Sequence, residues 1–154
     1  MSVQLTGRLA ERTGPLGDHC PVDRVMQAVG NRTAVLLLRE AFYGVTRFDA
    51  LVARVGVTDA VAAHRLKELV ALGVLTKQPY REPGQRTRYE YVLTPAGHAL
   101  LPAVVALHEW GARHLPGSAP ALTHADCGDA VHVVARCEAG HDVAEEELVV
   151  GGRR

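Results

Sequence analysis

The sequence predicts a mainly α chain with one small β-hairpin, an α+β domain followed by a short β-rich C-terminal appendage. Three observations predict it. Between residues 20 and 73, four short segments with helical apolar spacing are each closed by a glycine, at Gly30, Gly44, Gly56 and Gly73. Two alternating stretches then flank Pro83-Gly84, as in a hairpin. A last long segment, opened by Thr94-Pro95, carries apolar residues on more than one face. With 154 residues, 47% hydrophobic and 22% charged, the chain has material for one buried core and a small addition. A multidomain enzyme and a disordered chain are both excluded.

The elements follow in order. Residues 1–19 read as a flexible arm, and residues 20–115 as the main domain. Cys20-Pro21 with Val22, Val25, Met26 and Val29 is a first helix with proline in its first turn, whose apolar stripe needs a partner. Asn31 caps a second helix reaching Phe42 and Tyr43; Val35 to Leu38 is apolar all round, so this helix is central. Phe48, Leu51, Val52 and Val55 make a third. Thr58 caps a fourth that runs to Leu72, with Ala62, Leu66, Leu69 and Leu72 near one face and Ala60, Ala63, His64, Lys67 and Glu68 outside. Val74 to Tyr80 and Arg86 to Leu93 form the hairpin, with an arginine-rich tip. The segment from Thr94 is expected to be one helix to about His114, bent at Pro102. Residues 116–122 have linker composition, and 123–150 form an acidic appendage of short strands around Val131, Val133, Val143 and Leu148 to Val150.

Net charge is zero, which argues against a polybasic chromatin-type protein. The balance hides a division: residues 1–115 hold 14 basic against 10 acidic residues, and residues 116–154 hold 3 against 7. Fifteen of the seventeen basic residues are arginine, whose planar fork suits phosphates and guanine edges. The longest apolar run, Ala99 to Leu107, contains Pro102 and is far short of the ~18 residues that cross a bilayer. No secretory signal is visible, so no membrane partner and a cytoplasmic location are expected.

The order helix, helix, helix, turn, helix, hairpin, helix is that of a winged helix-turn-helix, in which the fourth helix enters a major groove and the hairpin touches the backbone or minor groove. Particular residues also carry a resemblance. Cys20-Pro21-Val22, Gly30-Asn31-Arg32, Leu36 to Glu40, Arg47 to Leu51, Arg65 to Leu69, Gly73-Val74-Leu75, Tyr91 to Gly97 and Glu109-Trp110 stand in an order that resembles the HxlR-type family of bacterial transcription regulators. The likeness spans about residues 20 to 114. It implies a MarR-like winged helix, a homodimer, and binding to operator DNA near promoters. One departure is Thr33, which follows Arg32 where family members usually carry tryptophan. In several members, the resemblance further implies, the cysteine before Pro-Val senses oxidants or electrophiles.

The expected contacts divide by role. Thr58, Asp59, Ala60, Ala63, His64 and Lys67 belong to the base-reading helix, the alanines facing thymine methyls and the polar residues making hydrogen bonds. Arg47, Arg65, Arg86 and Arg88 suit phosphates or, at the hairpin tip, the minor groove; Arg65 near Glu68 equally suits a surface salt bridge. Val25, Met26, Leu100, Val104, Leu107 and Trp110 are surplus apolar residues for a dimer interface, the alternative being that they fill their own core. Cys20 stands at a helix start, where free N–H groups favour an oxidisable thiolate; a small structural thiol is the plainer reading. The other cysteines are Cys127 and Cys137, an odd, widely spaced set unlike a disulfide framework. With His124 and His141 they make a Cys2His2 set that would suit zinc, though without a C-x2-C knuckle. His108 and His114 are six apart and fail the i, i+4 spacing of a zincin helix, and no nucleophile elbow or phosphate loop occurs, so no enzyme is expected. The partners expected are a double-stranded DNA operator, a second copy of the chain and a small-molecule effector. The alternatives are a dimeric protein-interaction module that does not bind DNA, and a metal-binding protein acting through the tail.

Overall fold

Side-chain acceptors in the sequence decide where most helices start. In the computed structural model, which describes residues 2–15 and 20–151, helix α1 (Pro21–Val29) begins after Cys20, whose Sγ accepts the Asp23 N–H at 3.5 Å. Helix α2 (Arg32–Phe42) begins after Asn31, which accepts from Ala34 N–H at 2.9 Å. Helix α3 (Phe48–Val55) has no side-chain cap. It ends at Gly56, whose φ of 69° lies in the left-handed region that a residue with a Cβ enters only at a cost. Thr58 then accepts from Val61 N–H at 3.4 Å and opens α4 (Asp59–Ala71). The tight link between α3 and α4 is the turn of a helix-turn-helix.

The core gathers one face from each of these helices. Leu37 and Leu38 of α2, Leu51 and Val55 of α3, and Ala62, Leu66 and Leu69 of α4 are buried together with Val29, Val74, Leu75 and Tyr91. Leu72, expected on the buried face of α4, is exposed, because it caps the helix as the chain turns at Gly73. α2 is the central helix, but its burial includes a charge: Glu40 is only 3% exposed. Its carboxylate takes Arg39 Nη2 at 2.6 Å and Arg54 Nη1, from α3, at 3.4 Å, which satisfies a group that would otherwise be costly to bury.

The wing is an antiparallel pair, β2 (Leu75–Tyr80) and β3 (Arg88–Leu93), in register from Leu75 opposite Leu93 to Tyr80 opposite Arg88. A third piece joins it. Arg47 bridges Glu90, Tyr91 N–H donates to the Thr46 carbonyl at 2.8 Å, and the Thr46 hydroxyl donates to Glu90 at 2.8 Å. The segment before α3 therefore ties the wing to the helical body.

The expected single bent helix is instead two. α5 (Pro95–His98) is a short turn capped by Thr94, and α6 (Leu101–His114) starts afresh with Pro102 in its first turn. A proline inside a continuous helix would lose a donor and press on the carbonyl four residues before it, here His98, so a break relieves both. No residue of α6 is buried, although the helix packs along α2. The tail beyond it is nearly all exposed. Of its expected strands only β4 (Val149–Val150) forms among the described residues; Val131, Val133 and Val143 flank two turns closed by isolated bridges, Thr123 with Ala130 and Arg136 with Asp142. Val131 and Val133 are exposed and Val143 is half-buried, with no apolar layer of described residues packed on them to favour a longer strand. Part of the N-terminal arm is paired: β1 (Gln4–Leu5) runs parallel to β4. Residues 16–19 of that arm lie outside the described residues. No described helix is long and apolar enough to cross a membrane.

Candidate nucleic-acid interface

Burying Ala62, Leu66 and Leu69 turns the opposite face of α4 outward. Asp59, Ala60, Ala63, His64 and Lys67 are all exposed there, with Thr58 at the helix start. Glu68 is a further member, one to which the spacing along α4 alone gives no role in binding. Its carboxylate holds Arg65 Nη1 at 2.6 Å and His64 Nε2 at 3.2 Å. The Arg65 hydrogen bond foremost, with the charges of Arg65 and His64, keeps Glu68 below the usual carboxylate range. Arg65 is thus in the salt bridge that its spacing from Glu68 allowed.

Arg47 has partners within the protein itself. Its guanidinium meets Glu82 at 2.7 Å and lies 4.8 Å above the Tyr80 ring, so it braces the wing. Its partners lie more than thirty residues away in sequence, and no local pattern announces them. Arg86 and Arg88 are exposed at the hairpin tip as expected. Lys77, not singled out in the sequence, is an exposed cation on the same wing, with Nζ 4.3 Å above the Tyr89 ring. A face of α4 with small, imidazole and ammonium groups, beside a wing tipped with free guanidinium groups, can meet base edges and phosphates at once.

The residues named for pairing are exposed to different degrees. Val25, Met26, Leu107 and Trp110 are between 42% and 59% exposed. Val104 is half-buried, and Leu100 packs partly against the chain's own core. Val22 at 68% exposure extends the same apolar surface along α1. Cys20 is half-buried, and all three cysteines are free thiols.

The tail ligands do not come together. His124 Nδ1 lies 3.3 Å from Cys127 Sγ in one turn, while Cys137 and His141 occupy a second turn closed by its own backbone bond from Cys137 N–H to the His141 carbonyl. Among the described residues no group of three or more His, Cys, Asp or Glu side chains is placed to hold a metal ion. The Cys2His2 set read from the sequence is therefore not assembled. What the tail does instead is dock. Glu109 of α6 receives His132 Nδ1 at 2.8 Å, the Val133 N–H at 3.2 Å and Arg113 Nη2 at 2.7 Å.

Comparison with known proteins agrees with this arrangement. The model of the HxlR-like helix-turn-helix family matches residues 28–119. An HTH-type transcriptional regulator of Mycobacterium tuberculosis is 40% identical over 111 residues, covering 70% of this chain and 69% of that protein. Among solved structures, the transcription factor PA1607 superposes with a TM-score of 0.77 at 32% identity, over 87% of this chain and 95% of that one. The redox regulator HypR in its oxidised form superposes with a TM-score of 0.58 at 26% identity, over 64% of this chain and 100% of that one. A winged helix-turn-helix whose reading helix and wing tip are both exposed, matched by the family model over most of its length, makes this chain a member of the HxlR-like helix-turn-helix family of transcription regulators.

Proposed function

We propose that the chain is a homodimeric transcription regulator that binds an inverted-repeat operator in double-stranded DNA and answers to oxidation at Cys20 or to a small-molecule effector. The observation that carries the DNA reading is the outward face of α4 set beside the exposed Arg86 and Arg88. The apolar side chains left exposed on α1 and α6 support pairing. Two copies would set two reading helices about 34 to 36 Å apart, one DNA turn. The position of Cys20 at the start of α1, together with the likeness to HypR, supports a thiol switch. An oxidant would take two electrons from Cys20 and a second thiol, releasing two protons as the disulfide forms. That second thiol is Cys127, Cys137, Cys20 of the other copy, or a small thiol.

Genome-wide mapping of bound DNA, followed by mobility shifts on the enriched fragments, tests the reading. Enriched sites with two inverted half-sites one turn apart are expected. Equal binding to enriched and scrambled fragments would overturn it. For the switch, diamide should alter operator binding by the wild-type chain and not by Cys20→Ser; the same response in both removes Cys20 from the role.

A further inference from the structure

On the outer face of α4 the side chains that can meet a base edge are few. Ala60 and Ala63 carry no polar side-chain atom, and Lys67 can only donate. Asp59, in the first turn, can only accept when ionised. His64 differs from all of them, because a neutral imidazole donates from one ring nitrogen and accepts at the other, and the position of its proton decides which. Its side chain is 64% exposed near the middle of the helix, between Ala60 and Lys67.

Glu68 decides that position. Its Oε1 stands 3.2 Å from His64 Nε2, while Oε2 takes Arg65 Nη1 at 2.6 Å. An ionised carboxylate has no proton to give; at that distance it repels a nitrogen lone pair and attracts an N–H. The Arg65 hydrogen bond foremost holds the Glu68 carboxyl below the usual range, so its charge persists in mild acid. Nε2 of the neutral ring therefore carries the proton, and Nδ1 keeps its lone pair. α1, α2, α3 and β2 pack against the buried side of α4, and among the described residues none of them brings a charged side chain into an ion pair with His64 or Glu68. The charged neighbours of the ring are those of α4 itself: Glu68, Arg65, Asp59 and Lys67.

We propose that His64 reads the base it faces as an acceptor through Nδ1, with Glu68 as the positioning residue that fixes the proton on Nε2. In the major groove the matching donors are the exocyclic amino groups, N6 of adenine and N4 of cytosine, whereas guanine O6 and thymine O4 are acceptors themselves. His64 thus selects an amino base, adenine or cytosine, over a keto base on the strand it faces. Protonation of the ring reverses the choice, since Nδ1 then donates and fits guanine or thymine. Lys67 cannot produce this pattern, because an ammonium never accepts. The proposal rests on the reading of the chain as a DNA-binding regulator, and names what one residue of the reading helix selects.

Selection of duplexes from a randomised pool by the full chain, at pH 8 and at pH 5.5, tests it. At pH 8 each half-site should hold one position where adenine or cytosine is favoured over guanine and thymine by at least about fivefold, and His64→Ala should bring the four bases there within about twofold of one another. Glu68→Gln should also level that position, because an amide offers Nε2 either a donor or an acceptor and so permits both tautomers. A carboxylate that only braced the helix would leave base preference untouched. At pH 5.5 the wild type should lose the preference or turn it to guanine or thymine, and His64→Ala should lose this response to pH. Both side chains lie outside the core, so the variants should melt with the wild type. A keto base at the His64-dependent position at pH 8, a preference that survives Glu68→Gln, or the same preference at both pH values would overturn the proposal. An enriched operator in which His64→Ala changes no position would sink this inference alone. A chain that enriches no sequence would sink the DNA-binding reading, and the inference with it.

Discussion

Glu68 sets what the reading helix offers to a phosphate. Its carboxylate occupies Arg65 and His64 on the exposed side of α4. Replacing it by glutamine should release Arg65, raise DNA affinity at low salt, and steepen the fall of log affinity with log salt by about 0.9 if the freed guanidinium finds a phosphate. An unchanged slope would leave Arg65 a structural residue. The opposite change is expected at the wing: Arg86→Ala with Arg88→Ala should flatten that slope by roughly 0.9 for each phosphate no longer neutralised. Titration of the double variant across salt concentrations checks it, and a wild-type slope would end the role of the wing. Glu109 shows how a carboxylate holds the tail. The His132 hydrogen bond foremost, then the Val133 N–H, keep it below the ordinary carboxylate range. A depressed folded value means that its contribution is complete above the unfolded value, about 4.3, and is lost as pH falls through the lower folded value. Protection of the Val133 amide, its exchange relative to a free peptide at the same pH, should therefore persist near pH 5 and be lost only in stronger acid. Absence of protection already at pH 6 would contradict the docking bond.

At the scale of elements, α5 and the start of the wing are joined by a close backbone approach. α5 sits so close to the start of β2 that a Cβ on Gly97 would stand 2.2 Å from the Val74 carbonyl oxygen. The Thr94 hydroxyl spans the same junction, donating to the Gly73 carbonyl while accepting the Gly97 N–H at 3.1 Å. Gly97→Ala must push backbone against backbone and should destabilise the fold by about 1–3 kcal/mol, the range for overpacking. A lower denaturant midpoint with an unchanged slope is the expected sign. A midpoint equal to that of the wild type would mean that α5 moves freely. The break between α5 and α6 matters here, since it lets a short helix meet the sheet while the longer one turns to follow α2.

For the whole molecule, the unpartnered surface is the main fact. α6 buries no residue, and α1 buries only Val29, so two amphipathic elements leave large side chains in water. A second copy would remove that surface. Sedimentation at micromolar concentration should report twice the chain mass of 16.5 kDa, and Leu107→Asp with Trp110→Ser should return it to one. A wild-type monomer would end the pairing hypothesis and, with it, the inverted repeat.

The sequence by itself determined the order of the first four helices and the hairpin, the caps at Asn31, Thr58 and Thr94, the outward face of α4 and the arginine-tipped wing. All of these depend on neighbours within one turn or one hairpin, and local spacing records them. Tertiary structure alone decided the rest. Glu40 is buried because α3 brings Arg54 to it, and Arg47 braces the wing because Glu82 and Tyr80 come beside it. The four tail ligands stay in two turns because each turn closes its own hydrogen bonds. Charge pairing and burial between distant segments depend on positions that no short stretch of sequence encodes.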